Sequence, residues 1–377
     1  METEGGIYGL THQARCLKAQ SAEQERSRFF VGTQDLKQTN ELHLIDFDED
    51  ESIITSHKLE HPHEVRDIAP SGSKADLVAT VSKEANHPCR ARLWQFKLPE
   101  PDEIGKLRND SGTLDKITEF ASTETLGEIR HIYWDPLGTE NSLVALSPHS
   151  LGVFAVREGA ESISPQSTIR IIEPKDPKRQ STCASWSPHG SLIAAGTGTS
   201  VHAFDIRSSK QTYEIPQAHA GTVRDIDHNS NKPYQLATGG DDCKIRFWDT
   251  RNVAEPIKEV SNHSHWVWSV RFNRFHDQLF LSAGSDCKVN LHSIISISSA
   301  PLSDESSDAE DDAEDEADEY RGKPTDGLVA VFDQQHEDSV YAAEWSAADP
   351  WIFASLSYDG RVAVNLVPRE HKYKIIL

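Results

Sequence analysis

HAGTVRDIDHNSNKPYQLATGGDDCKIRFWD (219–249), HSHWVWSVRFNRFHDQLFLSAGSDCKVNLHS (263–293) and HEDSVYAAEWSAADPWIFASLSYDGRVAVNL (336–366) superimpose without a gap. In each, a His is followed 23 residues later by an Asp: His219 and Asp242, His263 and Asp286, His336 and Asp359. A hydroxyl residue (Thr238, Ser282, Ser355) stands four positions before that Asp. Apolar residues alternate over short stretches, which is the pattern of half-buried strands. Val267 to Phe272 reads as one strand, Leu279-Phe280-Leu281 as a second and Val289-Asn290-Leu291 as a third, with Asp-Cys-Lys or Asp-Gly-Arg forming the tight turn before the last. The first two copies begin 44 residues apart. A unit of about 40–45 residues with three or four short strands has the period of a β-propeller blade.

Working outward, weaker copies occupy 182–215, 127–173, 61–98 and 7–59, which brings the total to seven. The expectation is an all-β, seven-bladed propeller filling 1–377 as one domain, because a closed ring leaves no free sheet edges. The second and third strong copies lie 73 residues apart, and the excess matches an acidic insert at 296–326 in the sixth blade. GLVAVFD (327–333) then supplies that blade's fourth strand. The last blade is completed by 373–377, by an N-terminal strand, or by both.

Composition excludes several function classes. Among 377 residues there is one Met, 37% are hydrophobic, and the mean hydropathy is −0.56. Apolar runs stop at about five residues, far short of the roughly 20 needed to cross a bilayer. The opening METEGG has neither a basic nor an apolar region, so no secretory signal is expected. Cys16, Cys89, Cys183, Cys243 and Cys287 form no C-x-x-C pair or metal spacing, which points to a reducing, cytoplasmic setting without a structural zinc. The net charge is −22, and eleven carboxylates between Asp304 and Glu319 carry half of it. That stretch is too polar to fold and reads as disordered, with Ser307-Asp308-Ala309-Glu310 as a candidate phosphorylation site. The remainder is still acidic, so no nucleic-acid partner is expected.

His219, Thr238, Asp242 and Trp248 resemble a hydrolase constellation on paper. The set recurs, however, whereas an enzyme needs one site. The pattern resembles WD40 proteins, in which the turn Asp holds the His, the His meets the hydroxyl, and the hydroxyl meets the Trp indole; such a satisfied buried network stiffens a blade. Only the fifth blade has the full set, since His292 and Asn365 align with Trp248 in the sixth and seventh. Thr238-Gly239-Gly240 lacks the residues of a phosphate loop. No nucleophile, metal or cofactor motif stands out, and the chain reads as a non-enzyme with no cofactor.

In a propeller, two side chains at the start of each first strand reach the narrow face. These are Glu64 and Arg66, Glu128 and Arg130, Thr222 and Arg224, Trp266 and Trp268, and Ser339 and Tyr341; Asp241, Ser285 and Tyr358 point the same way. Trp266, Trp268, Tyr341, Tyr358, Arg224 and Asp241 form the candidate partner-binding set, because Trp, Tyr and Arg dominate interface hot spots. Phe204-Asp205-Ile206-Arg207 and Trp248-Asp249-Thr250-Arg251 place Asp-x-Arg at the same point of consecutive blades. WD40 substrate receptors of cullin–RING ubiquitin ligases often carry this doubled box, which makes such a receptor the alternative reading.

One WD40 family is resembled closely: the proteins that interact with the EARP and GARP vesicle-tethering complexes. The similar stretches are IYGLTHQAR (7–15), FFVGTQ (29–34), HLIDFD (43–48), GDDCKIRFWDTRNVAEP (240–256), HSHWVWSVRFN (263–273), HEDSVYAAEWSAADPWIFASLSYDGRV (336–362) and the closing VPREHKYKIIL. The region 71–178 departs most. The resemblance implies a non-catalytic cytoplasmic adaptor, a monomer within a larger complex. Its implied partners are subunits of those tethers, met at recycling endosomes and the trans-Golgi network. It implies roles in endosomal recycling, retrograde transport and dense-core vesicle cargo sorting, with no insertion into the membrane.

Overall fold

The computed structural model describes residues 5–99, 111–138, 141–157, 159–173, 179–300 and 325–376. The alternating stretches form short antiparallel meanders, each of four strands. The first comprises Ala14–Ala19, Ser27–Thr33, Asn40–Asp48 and Ile53–His61; the second comprises Glu64–Pro70, Leu77–Lys83, Arg90–Lys97 and Ser111–Phe120. The third starts at His131–Trp134, the fourth at Ser181–Trp186, the fifth at Val223–His228, the sixth at Val267–Phe272 and the seventh at Val340–Trp345. Each of these first strands packs against the first strand of the next meander, and Val340–Trp345 packs back on Ala14–Ala19. The chain is a closed β-propeller.

Closure is also visible in the core. Seven hydrophobic clusters occur among the described residues, each between two neighbouring blades. Phe29, Val31 and Ile45 of the first blade meet Ile352, Leu356 and Val362 of the last. Blades must approach closely to do this, and glycine allows it: a Cβ on Gly32 would lie 2.4 Å from Val65 of the next blade, and one on Gly239 would lie 2.9 Å from Val267.

Among the alternatives for completing the last blade, the N-terminal strand is the one found. Gly6–Gly9 pairs antiparallel with Arg361–Leu366, Gly6 opposite Val364. The C-terminal segment does not join the sheet; it forms a helix, Arg369–Ile376, with Lys372 over the Trp351 ring. Pro368 explains the break, because it cannot donate to a ladder and suits the start of a helix. No described helix is long and apolar enough to cross a membrane.

The sixth blade ends on Gly327–Phe332, paired with Val289–Ser293. The stretch expected as an acidic insert is described only at its ends; 301–324, Ser307 included, lies outside the described residues. Both ends belong to the fold. Asp326 accepts the Ser296 N–H at 2.8 Å and pairs with Lys258, while the Ser299 hydroxyl donates to Asp277 at 2.7 Å.

Candidate functional site

The fifth blade shows how its repeated residues are used. His219 Nδ1 lies 2.7 Å from Asp242, its Nε2 lies 2.8 Å from the Thr238 hydroxyl, and the Trp248 indole donates to that hydroxyl at 3.0 Å. Burial would raise the Asp242 carboxyl, but the bonds from His219, the Ala220 N–H and Arg246 outweigh it and hold it far below the usual carboxylate range. The connectivity is that of a hydrolytic triad. The hydroxyl is nevertheless 0% exposed and already accepts the indole N–H, so it can reach no substrate. In the sixth blade His263 joins Asp286 at 3.0 Å and Ser282 at 2.8 Å, and His292 takes the indole's place at 2.9 Å from Ser282.

The seventh blade departs from the expected chain. His336 meets Ser355 at 2.8 Å, but its other nitrogen meets Ser357, also at 2.8 Å, and Ser357 rather than His336 reaches Asp359. Ser357 stands two residues after the buried hydroxyl, where the other blades have Gly240 and Gly284. A Cβ on Gly240 would lie 2.5 Å from the His219 ring, so glycine is what lets His and Asp touch directly. Asn365 pairs with Gln335 instead of the hydroxyl.

A fourth network was not foreseen. In the second blade His61 meets Thr80 at 3.1 Å and Trp94 donates to the same hydroxyl at 2.8 Å, with the His63 carbonyl in place of the Asp. The signal was present: His61 and Thr80 are 19 residues apart, as are His219 and Thr238.

The first strands surround an axial channel of about 680 Å³, lined from one end of each strand to the other. Ion pairs run around its wall: Arg271 binds Asp225 and Glu344, and Lys18 reaches Glu344 at 2.7 Å, which ties blades five, six, seven and one together. Burial alone would raise the Glu344 carboxyl, yet Arg271 and Lys18 hold it down at about 2. Burial dominates at Asp227, which is pushed up to about 7 while accepting the Phe272 N–H at 2.8 Å. Burial also pushes the Cys16 and Cys183 thiols up to about 12, which removes them as nucleophiles near neutral pH.

At one mouth of the channel the aromatic candidates meet. Trp266 and Trp268 stack edge-to-face at 5.9 Å, Trp268 and Tyr341 lie 4.7 Å apart, and Tyr341 and Tyr358 lie 5.8 Å apart. Arg224 sits 5.0 and 4.6 Å over the two indoles, its fork gripped by Asp241 at 2.5 and 2.9 Å. Arg15, absent from the sequence-derived set, lies 4.7 Å over both tyrosines. Trp266 is 39% exposed, and Trp268, Tyr341 and Tyr358 are half-buried. The result is a continuous ladder of four aromatic rings in contact, with the Arg224 guanidinium laid against the two indoles and that of Arg15 against the two phenols, and with Trp266 and Arg15 open to solvent.

The two Asp-x-Arg boxes differ. Asp249 holds Arg251 through both oxygens, with contacts of 3.0 and 2.6 Å, and Arg251 lies 4.8 Å over Tyr234. The Asp205 carboxylate is taken by the Ser191 and Ser208 hydroxyls at 2.7 and 2.8 Å and by the Arg207 N–H. Arg207 and Arg251 are both exposed.

Comparison with known proteins agrees with this architecture. The model of the EIPR1 β-propeller family matches residues 2–292, and a WD40 repeat model matches 327–364. The EARP-interacting protein homolog of Gekko japonicus is 40% identical, with 98% of each chain covered. The EARP and GARP complex-interacting protein 1 of Homo sapiens is also 40% identical over 98% of each chain, and the EARP-interacting protein 1 of Caenorhabditis elegans is 34% identical over the same share. A seven-fold ring of antiparallel blades, stiffened by His–hydroxyl junctions and matched over nearly its whole length by these relatives, identifies the chain as a member of the EIPR1 β-propeller family.

Proposed function

We propose that this propeller is a non-catalytic adaptor that docks the EARP and GARP vesicle-tethering complexes, and that it does so through the face carrying Trp266, Trp268, Tyr341, Tyr358, Arg224 and Asp241. The observation that carries the reading is the aromatic–guanidinium ladder. It is a preorganised surface of hot-spot residue types, and an interface built on it loses little side-chain freedom on binding. Through such docking the protein supports endosomal recycling, retrograde transport to the trans-Golgi network and dense-core vesicle cargo sorting. It resides in the cytoplasm as a monomer within the larger assembly, and it meets the membrane only through the tether. The test is affinity purification from cells under gentle lysis. Wild type should bring down tether subunits and Trp266→Ala should bring down markedly fewer at an unchanged melting temperature; capture unaffected by Trp266→Ala would refute the assigned face.

The exposure of Arg207 and Arg251 supports the second reading, a substrate receptor of a cullin–RING ligase. In that case Arg207→Ala with Arg251→Ala abolishes recovery of the ligase adaptor. Recovery unchanged in the double variant would end this reading.

A further inference from the structure

One backbone irregularity recurs around the mouth of the channel. In six blades the first strand begins with a register shift: between Ala14 and Cys16, Val65 and Asp67, Ser181 and Cys183, Val223 and Asp225, Val267 and Ser269, and Val340 and Ala342. A bulge leaves one residue unpaired and re-aims its side chain. The residues so released are Arg15, Arg66, Thr182, Arg224, Trp268 and Tyr341; in the third blade Arg130 stands at the equivalent place, just before its first strand. All of them line the channel. The six bulged residues and Arg130 together form a collar of seven side chains, and four are arginine in a chain of net charge −22.

The four guanidiniums are not equally engaged. Arg66 is paired with Glu64 and Arg224 with Asp241. Arg15 is exposed, with its plane over Tyr341 and Tyr358, and among the described residues no carboxylate pairs with it. Arg130 is half-buried and makes no ion pair among the described residues. Burial would raise the nearby Glu128 carboxyl, but the Cys89 N–H at 2.8 Å, Lys83 at 3.6 Å and Arg130 itself lower it. Two open forks thus stand on blades one and three, and an exposed Trp266 stands on blade six.

We propose that the collar is a receptor for an acidic linear peptide, whose carboxylates take the forks of Arg15 and Arg130 and whose apolar side chain rests on Trp266. This rests on reading the same face as the docking surface, and it assigns the chemistry of what docks. Stacking on an aromatic ring leaves the edge donors of a guanidinium free and aligned, which suits bidentate capture of a carboxylate. The collar residues belong to different blades, so the ligand must be extended enough to span the mouth. An oligonucleotide offers anionic groups to the same forks and is therefore an outcome of the test.

The test is fluorescence anisotropy on the purified full chain, with a labelled peptide of Glu, Asp and Leu, the same peptide carrying Gln and Asn, and a labelled oligothymidine. The acidic peptide should bind in a salt-dependent way and the neutral one should not. Arg15→Gln and Arg130→Gln should each weaken binding roughly ten-fold, about the worth of one charge-assisted hydrogen bond. Arg15→Lys keeps the charge but loses the fork and should fall between. Arg274→Gln, exposed near the opposite end of the channel, should change nothing. Melting temperatures matching wild type tie these losses to binding. Equal affinity for both peptides, tighter binding of the oligonucleotide, or indifference to Arg15 and Arg130 would overturn the assignment. If the peptide fails to bind while Trp266→Ala still costs the protein its tether, the collar assignment falls and the docking face stands. Peptide binding that obeys these variants, from a protein that recovers no tether, upholds the collar and removes the tether.

Discussion

Replacing Thr238 by Val is the sharpest perturbation of the framework. Valine keeps the shape and removes the one atom that joins His219 to Trp248. Both partners are buried, His219 at 1% and Trp248 at 4% exposure, so neither finds water in exchange. Each stranded group costs about 1–3 kcal/mol, and about 3 kcal/mol for the pair is a fair working figure. Unfolding entropy of about 2.1 cal/mol/K per residue, scaled to 377 residues, gives about 0.8 kcal/mol/K, so the melting temperature should fall by about 4 °C. Differential scanning calorimetry reads this directly. Adding Trp248→Phe to Thr238→Val should cost less than the two single losses together, because phenylalanine leaves no N–H to strand. Thr80→Val should lower the melting temperature comparably although its blade has no Asp at the His, since the hydroxyl makes the same two bonds there. A fall of under about 1 °C for Thr238→Val, or strict additivity with Trp248→Phe, would refute the claim that the hydroxyl is the junction.

Two other outcomes can be checked by melting temperature. Asp227 is raised by burial from 3.8 to about 7, so the folded protein keeps a proton that the unfolded chain releases; the stability tied to this group is present below about 4 and lost as pH rises through about 7. Asp227→Asn retains an acceptor for the Phe272 N–H, so it should match wild type near pH 4 and melt higher above pH 7. The two proteins must be compared at each pH, because both share the acid-side loss expected from His61, His228 and His336, each pushed down to about 4 by burial. Removing the segment up to Gly9 uncovers the edge of Arg361–Leu366. The truncated chain should melt lower and associate with itself on size-exclusion chromatography, as an unpaired edge strand does.

The architecture was legible because its signals are local and repeated. Spacing from His to hydroxyl to Asp fixes strand and turn lengths, and the alternation fixes the buried face. What escaped was non-local or hidden by substitution. The sequence leaves ring closure open between an N-terminal strand and 373–377, because Gly6–Gly9 pairs with a strand more than 350 residues away and nothing in a four-residue segment identifies its partner. The outer strand of the second blade, Ser111–Phe120, was not assigned; in the fold it pairs with Arg90–Lys97 and, in parallel, with Lys58 and Leu59. Ser357 intercepts His336 because one hydroxymethyl group replaces a hydrogen, and a position-by-position alignment counts that change as minor. His61 was overlooked because a backbone carbonyl does the work of the missing Asp.

Five of the collar positions, Arg66, Arg130, Arg224, Trp268 and Tyr341, are legible as narrow-face residues, whereas Arg15 and Thr182 are not, and the reason bears on how such a ring carries function. Framework residues can be read by recurrence, since every blade faces the same packing problem and arrives at similar solutions: His219, His263 and His336 are near-copies. The bulged position recurs in geometry but not in identity. Arg15, Arg66, Arg130, Thr182, Arg224, Trp268 and Tyr341 share a place but not one identity: four arginines, two aromatics and a threonine. Because the bulge frees that side chain from the ladder, packing places little demand on what it is, and the backbone sets only where it points. Recognition therefore has its greatest freedom at the point where the repeats stop resembling one another, and the grouping there of aromatics on blades six and seven beside the open guanidinium of blade one follows no requirement of the fold.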